Sequence, residues 1–158
     1  MKAASVHDIK KELNELGKAQ LVELCVRLAK YKADNKALLH FLLFESHDKQ
    51  AFIQTIKQEM DASFQELNIR DNLYFAKKGL QKILRMTARY CRYMGDKQAE
   101  VELLLYFCNS LKNKGIPLHK NEVIRNMYQR QVEKIRKLVS AMHEDLQADY
   151  AAELESLG

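Results

Sequence analysis

The chain has 158 residues, 47% of them hydrophobic and 30% charged, with five Gly, one Pro and no Trp. That composition excludes a disordered, collagen-like or disulfide-stapled polypeptide and fits a single soluble domain rich in helix formers. The net charge of +5 is unevenly placed: residues 1–69 carry ten basic and ten acidic side chains, residues 70–137 sixteen and six, and residues 138–158 none and five. Segregation of this kind bears on partners rather than on fold.

The N-terminal stretch MKAASVHDIKKEL has charges early and no apolar core of a signal peptide. The longest apolar run, 38–44, is interrupted by His40 and falls short of a membrane span. Three cysteines without disulfide spacing suit a reducing compartment. A cytoplasmic protein without a membrane anchor is expected.

Taken in order, the periodicity predicts about seven helices and no strand. The first runs over 6–16, with Ser5 as N-cap and Gly17 as its stop. The second spans 18–32, and its stripe is Leu21, Leu24, Cys25, Leu28 and Tyr31. The third, 35–45, is apolar nearly all round, the pattern of a helix buried on most sides. Asp48 caps a fourth helix that runs to Leu67 with Phe52, Ile53, Ile56, Met60 and Phe64 inward. A short join, 68–70, leads to the fifth helix, 71–94, which Gly95 ends. Asp96 caps the sixth, 97–113, whose LLLYFC core marks it as central. KGIPL, with the only proline, breaks the chain before a last helix predicted to run unbroken over 120–154, about nine turns.

A shift of 62 residues sets Leu21 over Ile83, Leu28 over Tyr90 and Tyr31 over Tyr93, and then Asp34 over Asp96 and Ala37 over Ala99. The expected fold is therefore all-α, either an α–α superhelix of HEAT- or armadillo-like repeats, with units 18–67 and 71–140, or a compact antiparallel bundle. The opening IKKELNELGKAQLVELCVRLAKYKADNKALLHFLL resembles the starts of short, functionally uncharacterised helical bacterial proteins. The resemblance covers about a quarter of the chain and brings no functional residue with it.

The fifth helix carries two opposed stripes. Leu73, Ala76, Leu80, Ile83, Leu84, Thr87, Cys91 and Met94 form the apolar one, and Lys78, Lys82, Arg85, Arg89 and Arg92 form a basic row about 21 Å long. Such a row is commonly only a solvated face. Here, however, Lys78/Lys82 and Arg85/Arg89 are like charges four apart, which repel, and residues 72–95 hold no acid at all. Arg125, Arg130, Lys134 and Lys137 on the last helix supply a second set. The chain therefore reads as a non-enzymatic binding protein whose basic face takes an acidic protein surface. A nucleic acid is the alternative, its phosphates neutralised by the cations and its bases stacked on Tyr90 and Tyr93.

The acidic end of the last helix reads as a solvated tail, as a seam for a homodimer, or as a strip lying on a basic surface. No catalytic, metal or cofactor signature is present. His7, His40, His47, His119 and His143 are scattered, with His40 expected in the core. The cysteines sit among core-type neighbours, and the glycines are isolated. Gly79, inside the basic helix, costs about 1 kcal/mol of helix stability relative to Ala and reads either as the close approach of another helix or as a neutral accident.

Overall fold

The computed structural model describes residues 1–69 and 73–158, and within them it is all-α, with eight α-helices and no strand. The chain divides into two compact units, residues 1–45 and 46–158, with the boundary inside the first predicted repeat. Arg70, Asp71 and Asn72, at the predicted join and the start of the basic helix, lie outside the described residues.

The first unit contains α1 (Val6–Asn14), α2 (Lys18–Tyr31), α3 (Ala33–His40) and a π-helical turn, Phe41–Glu45. Ser5 caps α1 as expected, its Oγ accepting from the Asp8 N–H at 3.2 Å. Gly17 is not a left-handed stop. It has φ −75° and begins α2, donating its N–H to Gln20 Oε1. The α2 and α3 helices pair as a hairpin, joined in part by Asn35, whose side chain donates to the Leu28 carbonyl.

The expectation of a buried third helix fails. Phe41 is the one buried side chain in residues 1–45, while Leu42, Leu43 and Phe44 are 53%, 64% and 61% exposed. His40, placed in the core from sequence, is exposed, 3.5 Å from Glu45 and against the Phe44 ring. An apolar pattern records what a helix can bury, not whether a partner is there to bury it.

The second unit is built on α6 (Lys97–Asn113), which packs against α4 (Lys49–Glu66), α5 (Leu73–Met94), α7 (Glu122–Ser140) and α8 (Glu144–Leu157). Its central place follows from its sequence: Val101, Leu103, Leu104, Leu105, Phe107, Cys108 and Leu111 are buried all round it. Gly95 turns the chain with φ +59°, and Asp96 caps α6 by accepting from the Gln98 and Ala99 N–H groups. Inside α5, a Cβ on Gly79 would collide with the Leu67 side chain, so the close approach inferred there comes from the end of α4.

The predicted nine-turn last helix is two helices. It stops at Ser140, and His143 caps α8 by accepting from the Asp145 N–H. Gln147 reaches back to the carbonyls of Met142 and Ser140, fixing the bend. The α8 helix then folds onto α7 and α6, where Leu157 is buried and its carbonyl accepts from Tyr128. The projecting seam expected for a dimer through this helix is thus absent. Both segments of the apparent 62-residue repeat are helical hairpins, but their corners differ: Asp96 is a cap, whereas Asp34 lies inside α3 behind Lys32.

Candidate functional site: a basic groove between two helices

With α6 as a floor, α5 and α7 stand as walls of a groove that runs in three joined sections. The first, about 530 Å³, is lined by Gln81, Leu84, Arg85, Val123, Asn126, Met127, Arg130 and Gln131. The second, about 330 Å³, shares Leu84, Arg85, Arg130 and Gln131 with it and adds Ala88, Cys91, Glu100, Leu104 and Lys134. The third, about 350 Å³, continues from Cys91, Glu100 and Lys134 to Arg92, Asp96 and Lys97.

Four of the nine sequence-selected residues therefore meet: Arg85 and Arg92 from α5, Arg130 and Lys134 from α7. The spacing accounts for this on both walls. Residues seven apart on α5 return to nearly the same angle, as do residues four apart on α7. Lys78 extends the α5 row beyond the groove, with Nζ 4.7 Å from the Tyr74 ring centre. Lys82 lies about 60° around the helix from Arg85, and Arg89 about 60° from Arg92, both exposed to solvent. Lys137 continues the α7 row by one turn. Arg125 belongs to a different flank, about 140° from Arg130 and close to the angle of Arg136, which donates to the Gly158 carbonyl.

The charges in the groove are not equivalent. Lys134 lies 3.1 Å from Glu100, and Lys97 lies 3.8 Å from the same carboxylate. Asp96 is engaged by its capping bonds and by Lys49 at 3.1 Å. Burial works to raise its carboxyl, but the Ala99 N–H, the Lys49 ammonium and the Gln98 N–H outweigh it and hold the group below its ordinary value. Arg85, Arg92 and Arg130 make no ion pair among the described residues.

One expectation for the site does not hold, and of the three readings of the acidic end the exposed strip agrees with the solvated one. Tyr90 faces α4, where its hydroxyl donates to Glu59 at 3.0 Å and its ring meets Phe52 edge-on, and Tyr93 packs against Tyr90. Neither lines the groove. The acids of α8 (Glu144, Asp145, Asp149, Glu153 and Glu155) are exposed and pair with none of the groove cations. The sequence reading also missed the amides Gln81, Asn126 and Gln131 and the carboxylate of Glu100. For Gln81 and Asn126 the signal was a position one helical turn from Arg85 and Arg130, whereas Glu100 lies on α6 and its place beside Lys134 is set by tertiary packing.

The thiols divide by position. Cys25 is exposed, against expectation, whereas Cys91 and Cys108 are buried and burial pushes both up to about 12. Among the described residues no group of three His, Cys, Asp or Glu side chains is placed to hold a metal ion, and no helix is long and apolar enough to cross a membrane. The chain matches no protein-family model, no curated protein and no solved structure.

Proposed function

We propose that the protein is a non-enzymatic binding or adaptor protein that holds an acidic segment of a protein partner in the α5–α7 groove. The observation that carries this reading is the convergence on one groove of three arginines that make no ion pair among the described residues. An unpaired guanidinium offers five donors in a planar fork that matches a carboxylate. Leu84, Val123 and Met127 give the same groove apolar surface, and Gln81, Asn126 and Gln131 give it neutral hydrogen-bonding groups. That mixture suits a peptide with acidic and apolar side chains, in the manner of a helix laid in a groove.

One feature weighs against nucleic acid: the tyrosines that would stack on bases are turned to α4. Three free thiols suit a cytoplasmic setting for such an adaptor.

The test is fluorescence anisotropy with a labelled amphipathic Glu-rich peptide and a mixed-sequence oligonucleotide, each across a salt titration. The expected result is peptide binding that weakens at least tenfold in Arg85→Glu/Arg130→Glu. Oligonucleotide binding with a log–log salt slope of several units, at about −0.9 per phosphate on duplex DNA, would replace the peptide by nucleic acid.

A further inference from the structure

Residues 1–45 leave their apolar side chains open to a degree the second unit does not. Leu24, Leu28 and Tyr31 form one stripe on α2, in steps of four and three, and are 39%, 60% and 77% exposed. Leu42, Leu43 and Phe44 in the π-helical turn are exposed to a similar extent. Leu28 and Leu42 line one apolar groove of about 210 Å³ together with Cys25 and Leu38. No disulfide staples the unit, and units near this size ordinarily need a staple, a metal or association to stay folded.

The character of this surface identifies its occupant. Residues 1–45 hold eight Lys and Arg against six Asp and Glu, so no single sign of charge selects a charged partner. The second unit supplies no apolar counterpart of this size, since its exposed large apolar side chains among the described residues are Tyr74, Phe75 and Val123. At the stated exposures Leu24, Leu28, Tyr31 and Leu42 leave on the order of 500 Å² open, the scale each partner contributes to a small specific interface. The surface of matching size and chemistry that this chain carries is the same patch on another copy, and a two-fold axis lets such a patch meet itself.

We propose that residues 1–45 are the interface of a homodimer in which the α2–α3 hairpins of two copies pair as a four-helix bundle. This interface is independent of the α5–α7 groove, and it differs from the C-terminal seam that the sequence implied.

Light scattering on the full chain over a concentration series tests it. The wild type should show twice the 18.4 kDa chain mass. Leu28→Glu/Leu42→Glu should show the single-chain mass, and Lys30→Glu, about 120° around α2 from Leu24, should keep the doubled mass. Because the charged pair could unfold the unit, Leu28→Ala/Leu42→Ala provides a milder arm. It should raise the dimer dissociation constant at least tenfold with helix content unchanged by circular dichroism. Cys25 should alkylate several-fold faster in the charged variant than in the wild type. A single-chain mass for the wild type throughout the series would overturn the proposal. A doubled mass retained by the charged variant with its helices intact would overturn it as well.

Discussion

Lys134 and Glu100 meet at 3.1 Å on the floor of the groove, with the carboxylate the more buried of the two. The pair sets the charge that a bound partner encounters, because Glu100 offsets one of the cations lining the same section. Replacing Glu100 by Gln keeps the shape, removes the negative charge and frees Lys134. Peptide affinity should rise about three- to tenfold in Glu100→Gln, as removing a like charge at an interface is worth about 1 kcal/mol. Lys134→Ala should lower it by a similar factor. Anisotropy on the same Glu-rich peptide measures both, and an unchanged affinity in both variants would place the peptide elsewhere.

Asp96 links the site to stability. It closes the α5–α6 corner by accepting two backbone N–H bonds, and Lys49 reaches it from α4. Loss of such a cap costs about 1 kcal/mol, so Asp96→Ala should lower unfolding stability by that amount at pH 7. The sign with pH follows from the depressed folded value. The contribution is fully present above the unfolded value of about 3.9 and is lost as pH falls through the folded one. The gap between wild type and Asp96→Ala in urea melts should therefore be constant from pH 7 to pH 5 and shrink toward pH 3.

The thiols give a direct check on burial. A rise from an ordinary 9.0 to about 12 leaves Cys91 and Cys108 roughly a thousandfold poorer in thiolate at pH 8. Both should resist iodoacetamide in the native protein and react fully in guanidinium, with tryptic mass mapping to assign each site. Reaction of Cys91 in the native state would mean that the α5 wall of the groove opens.

Much of the second unit was legible in the sequence because its periodicity and its tertiary environment agree. Asp48 and Asp96 cap the helices they were expected to cap, and α6 is central as its LLLYFC run implied. The same signal failed in residues 1–45. Leu42 and Phe44 are as apolar as Leu103 and Phe107, yet the first pair is exposed and the second buried. The end of α7 was illegible for another reason. Val139, Met142 and Leu146 keep helical spacing across the bend, and the break is made by local bonds from His143 and Gln147 that no apolar pattern records. For the groove, the sequence placed each basic row on its own helix. That the rows face each other over α6 is a matter of tertiary packing, and it selected Arg85, Arg92, Arg130 and Lys134 from nine residues.

Gly79 and Leu67 make a coupled pair whose energetics can be separated. Alanine at 79 would gain about 1 kcal/mol of helix propensity over glycine, but its Cβ would meet the Leu67 side chain. Leu67 is half-buried and must move, so Gly79→Ala alone should gain much less than the full amount. In a Leu67→Ala background the obstruction is gone, and the same substitution should stabilise by the whole 1 kcal/mol. A double-mutant cycle by urea denaturation should therefore give a coupling of about 0.5 to 1 kcal/mol, and additive effects would show that Leu67 does not fill this space.

Docking of α8 is the packing that replaces the predicted nine-turn helix, and two residues report on it. Tyr128 is buried and donates its hydroxyl to the Leu157 carbonyl at 2.7 Å, while the Leu157 side chain is 3% exposed. Tyr128→Phe leaves a buried carbonyl without that donor and should cost about 1 kcal/mol. Leu157→Ala removes the one buried side chain of α8 and should cost about 2 to 3 kcal/mol. Hydrogen exchange separates docking from global stability. Amides over 144–157 should lose protection in Leu157→Ala well before those of α6 do. Were the chain to continue past Ser140 as one projecting helix, neither substitution would change stability by more than a few tenths of a kcal/mol.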